Sequence, residues 1–195
     1  MEKIIDKVIE AMKKSDSLTD DEEIVRRGLE IIAIKIFFAV IIIIAGLLTG
    51  CFLESILFTT AFTSLRQYSG GYHADSQNKC FLMSTLMLMI SLSIIKSVKV
   101  WFVLILPLSI IAIISTVYVF AAAPIDTPNK RLDNDEIRVY GKRARIFAAV
   151  LAITAAAFYF LDMYSYATAV MTGIVMSAYL MLKGQISNFI NREKV

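Results

Sequence analysis

Histidine occurs once in this chain, seven residues before one of its two cysteines. His73 and Cys80 lie in RQYSGGYHADSQNKCF, residues 66–81, with Arg66, the pair Gly70–Gly71 and Asp75. A cysteine nucleophile needs a thiolate, a base or cation beside it, and donors for the oxyanion formed when a carbonyl is attacked. Cys80 opens the apolar run CFLMSTLMLMI, so it is expected at a helix start. The positive end of a helix stabilises anions, and the free N–H groups of its first turn can receive an oxyanion. Lys79, and His73 when protonated, add positive charge nearby.

Spacing sets a condition on this pair. Seven residues along one straight helix rise about 10.5 Å, beyond the roughly 2.6–3.2 Å reach of a nucleophile and its base. The segment between them must therefore turn back. ADSQN contains Asp75, Ser76 and Asn78, which hydrogen-bond their own backbone in turns. Gly70–Gly71 can take positive φ, or let a substrate backbone approach closely. Taken singly, a loop histidine is ordinarily a surface residue and a cysteine at a helix start is ordinarily inert. The density of special residues in one short stretch favours chemistry. One imidazole and two separated thiols do not complete a tetrahedral zinc shell without carboxylates, so neither metal nor cofactor is expected.

The elements that must position these residues are membrane helices. Of 195 residues 57% are hydrophobic, and the mean hydropathy is +0.68, well above ordinary soluble domains. The net charge of +3 is small, and the cations lie between apolar segments rather than along one face. Nucleic-acid binding is not expected. Six membrane segments are read at 31–50, 52–65, 81–95, 100–122, 146–161 and 165–182. The second is short for a span of roughly 20 residues and contains Glu54, so a tilted or re-entrant course is considered. Pro107 is a candidate kink in the fourth. Residues 1–14 place Ile4, Ile5, Val8, Ile9 and Met12 at helical spacing. That stripe suits an amphipathic helix on the membrane surface or one packed on its own protein. Thr19 and Glu22 have the spacing of a capping box for the helix that follows. The expected fold is all-α and polytopic, one membrane-embedded domain over 1–195. Residues 1–30 form interfacial helices, 66–80 a catalytic loop and 123–145 a basic loop.

Charge asymmetry orients it. Counting both termini and the 66–80 and 123–145 connections gives 17 Lys/Arg, against two (Lys96 and Lys99) in the alternate connections. Cytoplasmic loops carry such an excess, so both termini and the 66–80 loop are expected in the cytoplasm, where thiols stay reduced. Cys51 then falls on the opposite side, and both cysteines are expected free. No cleavable signal peptide is read ahead of the first apolar run near Ile31.

The pattern Arg66, Gly70–Gly71, His73–Ala74 and Cys80 resembles the signature of the accessory gene regulator protein B (AgrB) family, membrane cysteine endopeptidases of Gram-positive quorum sensing. APIDTPNKRL, residues 123–132, is similar to that family's second cytoplasmic loop. The resemblance implies that Cys80 attacks the scissile carbonyl of an autoinducing-peptide precursor, with His73 as base and then acid. It implies that a precursor cysteine resolves the thioester into a thiolactone. Arg66 and Gly71 carry over as supporting positions, with Gly70 beside them. It further implies an AgrD-like precursor as substrate, a homodimer and the bilayer as partner. Asp75 is chosen as third catalytic member over Gln67, Glu54 and Asp126. Arg66 is read either as a contact to a substrate carboxylate or as a neutraliser of lipid phosphate. Lys130 and Arg131 are read either as a positive-inside anchor or as a grip on the precursor's acidic tail. The competing classes are a multispan transporter, for which Glu54 and Lys35 are the intramembrane ionisable candidates, and a non-catalytic membrane scaffold.

Overall fold

The computed structural model describes residues 2–14, 22–72, 77–126 and 133–192. The helices are α1 (Glu2–Lys14), α2 (Glu22–Thr49), α3 (Phe52–Ser69), α4 (Gln77–Val100), α5 (Ile105–Ala122), α6 (Asn134–Phe160) and α7 (Tyr164–Arg192), with a 3-10 turn at Phe102–Leu104. One isolated parallel bridge, Gly70 to Ile125, is the only β-type pairing among the described residues. The protein is all-α and polytopic. Among the described residues five helices are long and apolar enough to cross a membrane: Glu22–Thr49, Lys79–Val100, Phe102–Ala122, Asn134–Phe160 and Tyr164–Ile190.

The chain divides into two compact units, Met1–Ile41 and Ile42–Val195. In the first, Ile5 and Ile9 are buried, as expected of a stripe whose members stand one turn apart. Arg26 donates to Asp6 at 2.7 Å, and Lys13 pairs with Glu22 at 2.7 Å, tying the polar face of α1 to the start of α2. These exposed pairs add little stability. Covering Ile5 and Ile9 is the more informative fact, and it favours packing on protein over a free surface helix. The proposed N-cap Thr19 lies outside the described residues.

In the second unit α7 is the central helix. In its most apolar eighteen-residue stretch 67% of residues are buried, against 6% in α2. Its principal neighbour is α3, followed by α5, α6 and α4. α3 carries Phe58, Ala61, Phe62 and Leu65 into this core, at the i, i+3, i+4, i+7 spacing of one helix face. Of its polar residues Glu54, Ser55 and Ser69 are buried in protein, and the hydroxyls of Thr59, Thr63 and Ser64 donate to backbone carbonyls of the same helix. The short second segment of the sequence reading is thus an eighteen-residue helix with one face in the core, and Arg66 lies in its last turn rather than in a loop.

Two other boundaries differ. Of the 123–145 stretch, residues 134–145 are helical and open α6. Asp133 caps that helix, its side chain and that of Glu136 forming a reciprocal capping box. The charges of Arg138, Lys142, Arg143 and Arg145 ride on helix that precedes the apolar stretch, which explains why composition alone read as loop. The last helix continues past 182 to Arg192. Pro107 sits in the first turn of α5, where its missing N–H costs nothing. The fourth segment instead opens with the 3-10 turn Phe102–Leu104, which leads directly into α5.

Near the start of α3, Glu54 is only 6% exposed. Lys99 Nζ lies 2.7 Å from its carboxylate and 3.4 Å from Cys51 Sγ. A buried carboxylate without such a partner would be costly. Glu54 stands twelve residues before Arg66 on the same helix, about 18 Å along its axis. It therefore belongs to the opposite end of α3 from the His/Cys stretch and does not complete a catalytic set there.

Candidate active site

α3 stops at Ser69 because Gly70 turns the chain with φ 71° and Gly71 follows with φ 98°. Both values lie where residues with a Cβ are strained. The next helix begins at Gln77. No continuous helix runs from 70 to 80, because Gly70, Gly71 and Tyr72 are not helical. Cys80 is exposed and free. It stands fourth in α4, one turn further inside the helix than its place at the head of the apolar run suggested. His73 and Asp75 lie outside the described residues, as do Lys130 and Arg131.

The turn leading to His73 is held from three directions. Ser69 C=O accepts the N–H of Ile125 at 3.0 Å, and the Gly71 N–H donates to Ile125 C=O at 3.0 Å. The Tyr72 N–H donates to the C=O of Leu180, within α7, at 2.9 Å. Arg66 supplies the third tether, forking its guanidinium onto the carbonyls of Gly70 and Tyr72. A planar fork of donors suits two acceptors at once. Arg66 also lies within electrostatic range of Cys80. One side chain thus fixes the approach to His73.

These contacts revise two readings of the sequence. The close approach anticipated for a substrate at Gly70–Gly71 is taken up by the protein's own backbone: a Cβ on Gly71 would stand 2.7 Å from Leu180 O and from Met181 Cα. Arg66, read as a contact for substrate or lipid, uses one N–H of each terminal nitrogen on its own turn.

The surrounding helices brace this end. The Tyr68 ring stacks on Phe147 with centroids 5.2 Å apart, and Arg143 sits 5.5 Å over the same ring. Asn188 of α7 donates to the carbonyl of Asp126, and Tyr118 O–H donates to Gln185 at 2.8 Å. The sequence reading missed Ile125, Leu180 and Asn188 as parts of this assembly. APID was noticed for its resemblance, but no local pattern in α7 signals that its backbone receives the turn.

Fold and site together define a polytopic helical membrane protein with a free thiol at the head of a membrane helix, beside an arginine-braced turn. The model of the family described as Accessory gene regulator B matches residues 1–182, and the chain belongs to that family. Among curated proteins it is 30% identical over 138 residues to an AgrB-like protein 2 of Clostridium perfringens strain 13, covering 68% of this chain and 64% of that protein. It is 29% identical over 151 residues to an AgrB-like protein of Listeria monocytogenes serotype 4a, covering 75% and 72%. The matched stretch thus spans a little under two thirds of the Clostridium relative's length. No solved structure matches the chain.

Proposed function

We propose that the chain is a membrane cysteine endopeptidase, one domain over 1–195, that processes an AgrD-like precursor of an autoinducing peptide in quorum sensing. The observation that carries this reading is the exposed Cys80 in the first turns of α4, within electrostatic range of the Arg66 that braces the residues next to His73.

In the mechanism, His73 takes the proton of the Cys80 thiol, and the sulfur attacks the scissile carbonyl. The oxyanion is met by N–H groups at the start of α4. As the tetrahedral species collapses, the C–N bond breaks and His73 passes its proton to the leaving amine of the C-terminal tail. This leaves a thioester on Cys80. A precursor cysteine then attacks that thioester, its proton passing through His73 back to the Cys80 sulfur, and a thiolactone is released. Thioester exchange is nearly balanced in energy, so removal of the tail and exclusion of water drive the outcome. Asp75 orients His73, and Lys130 and Arg131 hold the acidic tail. The protein works as a homodimer in the cell membrane, with both termini and the catalytic loop on the cytoplasmic side.

The test is reconstitution of the full chain in liposomes with candidate precursor peptides, read by mass spectrometry. A single cleavage, retained in Cys51→Ala and lost after iodoacetamide treatment of that variant, is expected. Loss of activity in Cys51→Ala, or cleavage that survives alkylation, would contradict the assignment.

A further inference from the structure

The catalytic reading uses α3 and α4, yet the turn before His73 is seated on α7. Tyr72 donates its N–H to the Leu180 carbonyl at 2.9 Å, and its ring lies 4.0 Å beneath the Lys183 ammonium. Between these contacts is Gly184. A Cβ there would stand 2.5 Å from Tyr72 N and 2.7 Å from the Cα and carbonyl carbon of Gly71. All three atoms are backbone, and they are pinned on their other side by Ile125 and Arg66. They cannot swing away as a flexible side chain would. The α7 surface at Leu180–Gly184 is thus shaped to the path of the chain as it enters His73.

We infer that Gly184 is a positioning residue for the reaction proposed above: it lets Gly71–Tyr72 lie on α7 and so sets where His73 starts relative to Cys80. Lys183 clamps the Tyr72 ring over the same seat. The inference rests on the Cys80/His73 reading for its catalytic consequence, but its structural part stands independently of it. A shift of about an ångström at a reacting pair costs up to roughly 100-fold in rate.

The experiment compares Gly184→Ala with two controls in the full chain, in liposomes. Alanine is favoured over glycine inside a helix, so α7 itself is not weakened by the change. At Gly28 nothing lies within 4 Å of an added Cβ. At Gly173 the added Cβ would meet Ala61 Cβ at 2.7 Å and Phe62 N at 3.1 Å, in the core away from the turn. Gly184→Ala is expected to lower kcat by about 10- to 100-fold with KM nearly unchanged, and to speed amide hydrogen exchange in the peptide spanning 66–72. Gly28→Ala should change neither, and Gly173→Ala should lower Tm without altering kcat per folded molecule or exchange at 66–72. Wild-type kcat in Gly184→Ala, or a loss that only tracks Tm as at Gly173, would overturn the inference. Cleavage persisting in Cys80→Ala would instead remove the catalytic reading, while exchange at 66–72 would still test the seat.

Discussion

Replacing Cys80 by alanine is expected to abolish precursor cleavage, lowering kcat/KM by about ten-thousandfold or more, as loss of a nucleophile does in enzymes whose catalytic groups act as a unit. His73→Ala should cost nearly as much, because the proton for the leaving amine then has no carrier. The double variant should be scarcely worse than either single one, since the two side chains serve one sequence of proton and acyl transfers. Steady-state cleavage by the reconstituted protein checks all three. Cys80 is exposed, so its truncation opens no core cavity and a loss of activity cannot be ascribed to unfolding. Strictly additive losses would indicate that His73 and Cys80 work independently, and the dyad would have to be given up.

Arg66→Ala should have the next largest effect. Its guanidinium serves the carbonyls of Gly70 and Tyr72 together, and hydrogen bonds to a charged donor are worth about 1.5–3 kcal/mol each. Losing both frees the turn and withdraws the cation from electrostatic range of Cys80. If about 3 kcal/mol of that is expressed at the transition state, kcat falls by roughly 100-fold. Arg66→Lys should recover only part of the loss, because an ammonium on a flexible stem does not present a planar fork. A purely substrate-binding arginine would behave differently, raising KM and leaving kcat in place. The split between kcat and KM therefore distinguishes positioning from substrate capture.

Much of this was legible before the fold was known. Long apolar runs announced α2, α4 and α5, because spanning a bilayer demands length and hydrophobicity that few other contexts do. The candidate site stood out in the sequence because Arg66, Gly70, Gly71, His73 and Cys80 crowd into one short stretch. The limits of α3 and α6 were harder. Arg66 and Tyr68 look like loop residues until Leu65 and Ser69 are seen buried around them, and cations at the start of α6 are compatible with either a loop or a helix projecting past the apolar stretch. One sequence signal there was readable and was missed: Asp133 followed three residues later by Glu136 is a capping box. The pairing of Ser69–Gly71 with Ile125 and the seat at Leu180–Gly184 had no local signal, since both are made through backbone atoms between distant segments. Glycine is the trace such contacts leave, and Gly184 carried it without indicating a partner.

The proposed covalent bond between Cys80 and the precursor is open to detection by intact-protein mass spectrometry. The precursor's ring-forming cysteine is replaced by alanine so that no side-chain nucleophile resolves the thioester, and the reconstituted enzyme is acid-quenched during turnover. A mass increase equal to the amino-terminal part of the precursor is expected, mapped by digestion to Cys80 and absent in Cys80→Ala. Cleavage with no adduct, or an adduct on Cys51, would contradict it.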